Sequence, residues 1–185
     1  LVNLDTDINF IGKLFDLIIK DNKNFLSNDK YRHGLNIFFT RIIFCFFAED
    51  SGIFSKGLFT NTIKSVSQDD GSDLSEIISK IFLSLNDQQN EDISEYLKKF
   101  PYVNGGLFRN IYKTPLFSQT SRKALIEIGA LDWALINPDI LGSMMQAVVN
   151  DINREELGMH YTSVKNILKT IGPLFLNDII EDFRL

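Results

Sequence analysis

The sequence predicts a mainly α fold: a helical bundle-like domain interrupted by one short Gly-Gly hairpin or turn. Apolar residues recur every three or four positions in successive windows, the spacing that lets a helix bury one face. Polar or glycine-bearing breaks separate those windows. The chain also holds 16 Phe within a hydrophobic content of 44% over 185 residues, ample apolar surface for a core. Phe carries no hydrogen-bonding group, so these rings read as packing material before base-stacking platforms.

The first helix is expected over Leu4 to Ile19, where Leu4, Ile8, Ile11, Phe15, Ile18 and Ile19 make one stripe before Asn22 and Asn24 break it. A second should run from Asp29 to Ala48, with Gly52 just past its end. It is apolar almost all round, which places it centrally. Phe59 to Val66 is weakly helical, and 67–72 is a polar loop. Asp73 can cap a third clear helix, in which Leu74, Ile77, Ile78, Ile81, Phe82 and Leu85 share a face until Asn86. A shorter one is expected at Asp92 to Lys99. Asn104-Gly105-Gly106 is the non-helical landmark, because paired glycines after Asn favour positive φ. Helices resume at Thr120 to Ile128, again from Pro138 through Val148, and finally from Ser163, where Pro173 should kink or split the last one.

A formal charge of −5 and a pI near 5.0 argue against a stand-alone nucleic-acid binder, since affinity for phosphate comes from neutralising it with many cations. Any DNA contact is therefore expected to be local. Arg109 and Lys113 flank the Gly-Gly segment, and with Arg122 and Lys123 they form the candidate basic surface for DNA backbone. Cys45 lies inside an apolar run and reads as a small buried hydrophobe, which fits a reducing cytoplasm. His33 and His160 are too far apart in sequence, with too few other ligands, to suggest a transition-metal site. No uncharged stretch is long enough to suggest a membrane span. Leu1 in place of Met, and an amphipathic ending at Ile179 to Leu185, suggest a piece of a longer chain.

Two acids, Glu49 and Asp50, close the central helix although a helix C-terminus prefers cations. The simplest reading has them hold Arg32, Arg41 or a neighbouring backbone NH group. Pro138-Asp139 resembles half of a nuclease metal motif, but no Lys follows Glu155-Glu156 at the needed position.

Gly158-Met159-His160-Tyr161-Thr162-Ser163, followed by an apolar helix ending Pro173-Leu174-Phe175-Leu176, resembles the lead-in to adenine-N6 DNA methyltransferase domains. Upstream, residues 41–54, Phe100-Pro101-Tyr102-Val103-Asn104-Gly105-Gly106-Leu107-Phe108, and Trp133 through Gly142 resemble, in that order, the helical spacer of MmeI-type (type IIG/IIL) single-chain restriction-modification enzymes. The resemblance implies a spacer over 1–152 and, at 153–185, the incomplete start of a methyltransferase domain, whose α/β body is absent from this sequence. It implies adjoining nuclease and methyltransferase domains in the same polypeptide. It also implies S-adenosylmethionine as the parent's cofactor, with Gly158, Tyr161, Thr162 and Ser163 beside it, and DNA as the parent's substrate. The parent reaction would be methyl transfer to adenine N6 coupled to magnesium-dependent cleavage. The Asp/Asn-Pro-x-x-Gly-x-Gly and Asn-Pro-Pro-Tyr/Phe motifs of such enzymes do not occur here, so these residues alone are expected to be inactive. A reading from another class is a non-enzymatic helical module that binds a protein partner through exposed Phe54, Leu58 and Phe59.

Overall fold

The computed structural model describes residues 4–23, 28–86, 94–103 and 106–135. The chain divides into two compact units, Leu1–Ile136 and Asn137–Leu185, and the described residues belong to the first. They contain helices α1 (Leu4–Asp21), α2 (Asp29–Asp50), α3 (Leu58–Val66), α4 (Leu74–Asn86) and α5 (Gln119–Gly129), with single 3-10 turns at Leu97–Lys99 and Trp133–Leu135. No strand occurs among the described residues. The helices expected from Pro138 and from Ser163 lie outside them, as do Asn104 and Gly105 of the expected turn.

α2 is the axis of the core, as its all-round apolar character requires. Leu35, Phe38, Phe39, Ile42, Ile43, Cys45, Phe46 and Ala48 are all buried along it. α3 and the Trp133 turn pack on α2, α5 packs on α1 and α3, and α4 carries the Leu97–Lys99 turn. Ring contacts tie these elements together. Phe38 meets Phe82 and Phe117 at centroid distances of 6.1 and 6.0 Å, and Phe46 stacks on Trp133 at 5.1 Å while meeting Phe59 edge-on at 5.6 Å. Most of the described phenylalanines are core, as expected, with Phe15 exposed and Phe44 and Phe47 half-buried.

Helix ends are set by side chains near and far. Asn28 caps α2 by accepting from the Tyr31 amide. At its other end Gly52 takes φ 82°, and the Phe54 amide closes on the Ala48 carbonyl at 2.8 Å. α5 begins one residue earlier than expected because Ser118 and Ser121 form a capping box. Asp21, closing α1, reinforces that start by accepting from the Ser118 amide, the Ser118 hydroxyl and the Ser121 hydroxyl at 3.0, 2.8 and 2.6 Å. Asp73 precedes α4, but its side chain turns back to accept from the Gln68 amide.

Two sequence expectations are corrected. The helix expected over Asp92 to Lys99 shrinks, within the described residues, to the turn at Leu97–Lys99. Pro101 disfavours helical backbone at the residue before it, and Phe100 is extended (φ −81°, ψ 128°). The apolar docking face assigned to Phe54, Leu58 and Phe59 does not exist as such. Phe54 and Phe59 are buried, in contact with Phe44 and Phe100 and with Phe46 respectively.

Candidate functional site

The acids that close α2 serve the next two elements. Glu49 is buried and accepts from the Thr60 amide at 2.9 Å and from the Thr60 hydroxyl. Thr60 lies in the first turn of α3, whose N-cap is Gly57 and offers no side chain. Glu49 thus caps α3 from outside, and the negative charge faces the positive end of that helix dipole. Burial raises its pKa, against hydrogen bonds from Thr60 and the Phe59 amide that lower it. Asp50 accepts from the Trp133 amide at 2.8 Å. Both acids hold neighbouring backbone NH groups, one of the readings open from sequence.

The candidate DNA-backbone residues separate into two kinds. Arg109 and Lys113 are exposed on the segment that follows the Gly-Gly pair in sequence, with the Lys113 ammonium 5.9 Å from the Tyr31 ring centre. Lys123 is exposed on α5 and pairs loosely with Glu127 at 3.7 Å. Arg122 is different. It is buried, its Nε donates to the Ser67 hydroxyl at 2.8 Å, and its Nη2 donates to the Ser67 and Lys64 carbonyls at 3.2 and 3.3 Å. The exposed Asp69 lies 3.3 Å from Nη1. A cation at the C-terminal end of α3 complements that helix dipole, so Arg122 holds the fold and is not free for a phosphate. Gly158, Tyr161, Thr162 and Ser163 lie outside the described residues.

Sequence reasoning offered Arg41 only as a partner for the acids that close α2 and missed its part here. Only 4% of this arginine is exposed. Its Nε donates to the Leu107 carbonyl at 2.8 Å and its Nη2 to the Asn110 carbonyl at 2.7 Å. The guanidinium lies 5.4 Å from the ring centres of Phe82 and Phe108 and 5.6 Å from that of Tyr112, and burial lowers its pKa. One arginine therefore pins the 107–110 segment to the central helix, which sets where Arg109 stands. The available signal was a lone cation on the buried side of the greasiest helix.

A bundle in which buried charges organise loops, with exposed cations on one such loop, has the character of a scaffold. Comparison with known proteins gives the same class: residues 33–108 match the family described as MmeI, helicase spacer domain. The chain is 46% identical over 173 residues to DNA methyltransferase A of Bacillus subtilis, an alignment covering 93% of this chain and 19% of the relative. It is 24% identical over 179 residues to a putative type II restriction enzyme and methyltransferase of Methanocaldococcus jannaschii, covering 78% of this chain and 15% of that protein. A solved structure of the type IIL restriction-modification enzyme MmeI in complex with DNA superposes with a TM-score of 0.74 at 36% identity, over 99% of this chain and 24% of the other. Residues 33–108 of the described unit are thus similar to the spacer domain of MmeI. The chain spans about a fifth or less of the length of the curated relatives it matches.

Proposed function

We propose that this chain is the helical spacer of a bacterial type II restriction-modification polypeptide, holding a nuclease and a methyltransferase at a fixed distance and orientation. The observation that carries the reading is the 46% identity to a DNA methyltransferase along nearly the whole of this chain, together with the spacer match at 33–108. The parent enzyme transfers a methyl group from S-adenosylmethionine to adenine N6 and cleaves DNA. Residues 1–152 are the spacer and 153–185 open the methyltransferase domain, with Gly158, Tyr161, Thr162 and Ser163 beside the cofactor. Arg109, Lys113 and Lys123 supply local contacts to DNA phosphates, weak because the chain as a whole is acidic. These residues by themselves catalyse nothing.

The test is to purify the polypeptide encoded by the complete reading frame and assay tritium transfer from labelled S-adenosylmethionine to DNA, with 1–185 alone as the control. Methyl transfer to adenine by the complete polypeptide and none by 1–185 supports the reading. A complete polypeptide that transfers no methyl group and does not bind S-adenosylmethionine overturns it.

A further inference from the structure

Between α2, α4 and the segment 108–114 lies an open pocket lined by Arg41, Ser79, Phe82, Leu83, Phe108 and Ile111 among others. Its volume is about 40 Å³, against about 10–15 Å³ for one water, which is room for a carboxylate and too little for a nucleobase. Three properties of the pocket specify its occupant.

Among the described residues the cation at its wall has no counter-ion. Arg41 gives two of its five N–H donors to backbone carbonyls, and no carboxylate among the described residues pairs with it. A buried charge without an opposite charge is costly, and the cost falls when an anion arrives with matched hydrogen bonds. The wall also offers hydroxyls, Ser79 and Thr114, 2.5 Å from each other. The rim, by contrast, is apolar and in water: Leu83 is 48% exposed and Ile111 82% exposed. A phosphodiester backbone is hydrated on both sides of each phosphate and would leave both aliphatic groups wet. An Asp or Glu on a protein surface with aliphatic neighbours would cover them and supply the missing charge.

We propose that this pocket is a docking socket for an Asp or Glu side chain from another domain of the same polypeptide, with Arg41 as its cationic partner and Leu83 and Ile111 as the apolar seal. The inference rests on the spacer reading, under which such a domain exists, and the relatives extend far beyond the aligned part.

The experiment uses the complete polypeptide with a benzophenone amino acid in place of Ile111, an exposed position whose replacement leaves the core intact. Irradiation without DNA, followed by peptide mapping, is expected to give an intramolecular crosslink to a segment outside the spacer, 1–152, that contains Asp or Glu. S79D, which places a carboxylate in the pocket from within, should lower that yield several-fold. L83E, which repels an acidic segment from the rim, should do the same if S79D does not fold. A crosslink only to DNA when DNA is added, only to residues of 1–152, or none at all overturns the proposal, as does a yield unchanged by a folded S79D or L83E. Methylation and cleavage by the same preparation keep the two claims apart, because active enzyme without the crosslink removes the socket and leaves the spacer reading standing.

Discussion

Glu49, in the last turn of α2, accepts the amide of Thr60 in the first turn of α3 at 2.9 Å, so the central helix carries the cap of the helix that follows it. Asp50 does the same for the Trp133 turn, and Asp21 for α5. Three acids at helix C-termini, unfavourably placed for their own helices, are each accounted for by the start of another element.

Burial holds the Glu49 carboxyl above its ordinary pKa, which fixes the sign of a pH effect. A raised folded-state pKa means a contribution fully present below the ordinary glutamate value and lost as pH rises through the raised one. Relative to wild type, E49Q is therefore expected to gain stability as pH rises above the ordinary glutamate value, as read by paired thermal melts. E49A, which leaves the Thr60 amide without its acceptor, should lose about 1–3 kcal/mol.

Trp133 is the chain's single tryptophan and is fully buried, with its indole NH donating to the Ile128 carbonyl at 3.0 Å. D50A removes the acceptor for the Trp133 amide. A stability loss of about 1 kcal/mol and a red shift of tryptophan emission are expected, measured by denaturant titration followed by fluorescence.

Gly129 ends α5 against Thr60 and Phe46. A Cβ placed there would meet the Thr60 hydroxyl and come within 2.7 Å of Phe46 Cε1. G129A is expected to destabilise the fold by about 1–3 kcal/mol through overpacking, visible as a lower denaturation midpoint with an unchanged slope.

The cations should divide by burial. R109A and K113A in the complete polypeptide are each expected to weaken DNA binding across sequences and to reduce the slope of log affinity against log salt by about one. R122A should instead lower stability by about 1–3 kcal/mol, because the Ser67 hydroxyl and the Ser67 and Lys64 carbonyls lose their donor while the exposed Asp69 returns to water, and leave the salt slope of the folded fraction unchanged. Fluorescence anisotropy over a salt series separates the two groups.

Much of this was legible in the sequence. The stripe of α4, the central α2 and the burial of Cys45 follow from periodicity, since 3.6 residues per turn puts those side chains on common faces, whereas in α1 the expected stripe named Ile18 but took Phe15, which is 37% exposed, in place of the buried Leu14. α3 looked weakly helical because its cap lies eleven residues back, outside any local window. Arg122 looked like surface charge because nothing near it in sequence reveals that the Ser67 hydroxyl and two carbonyls await it at the end of α3. Arg41 was offered only as a partner for Glu49 and Asp50 for the same reason, its acceptors at Leu107 and Asn110 being far along the chain. Where charge met a distant backbone group, spacing carried no information.

The central claim is that this domain transmits geometry between two catalytic units. The most direct measurement introduces W133A, a core truncation expected to cost about 3–5 kcal/mol, into the complete polypeptide and follows adenine methylation and DNA cleavage in one reaction. Loss of cleavage at a fixed distance from the methylated site, with methyl transfer largely retained, is the expected result; cleavage unchanged in a polypeptide whose spacer has demonstrably loosened would contradict it.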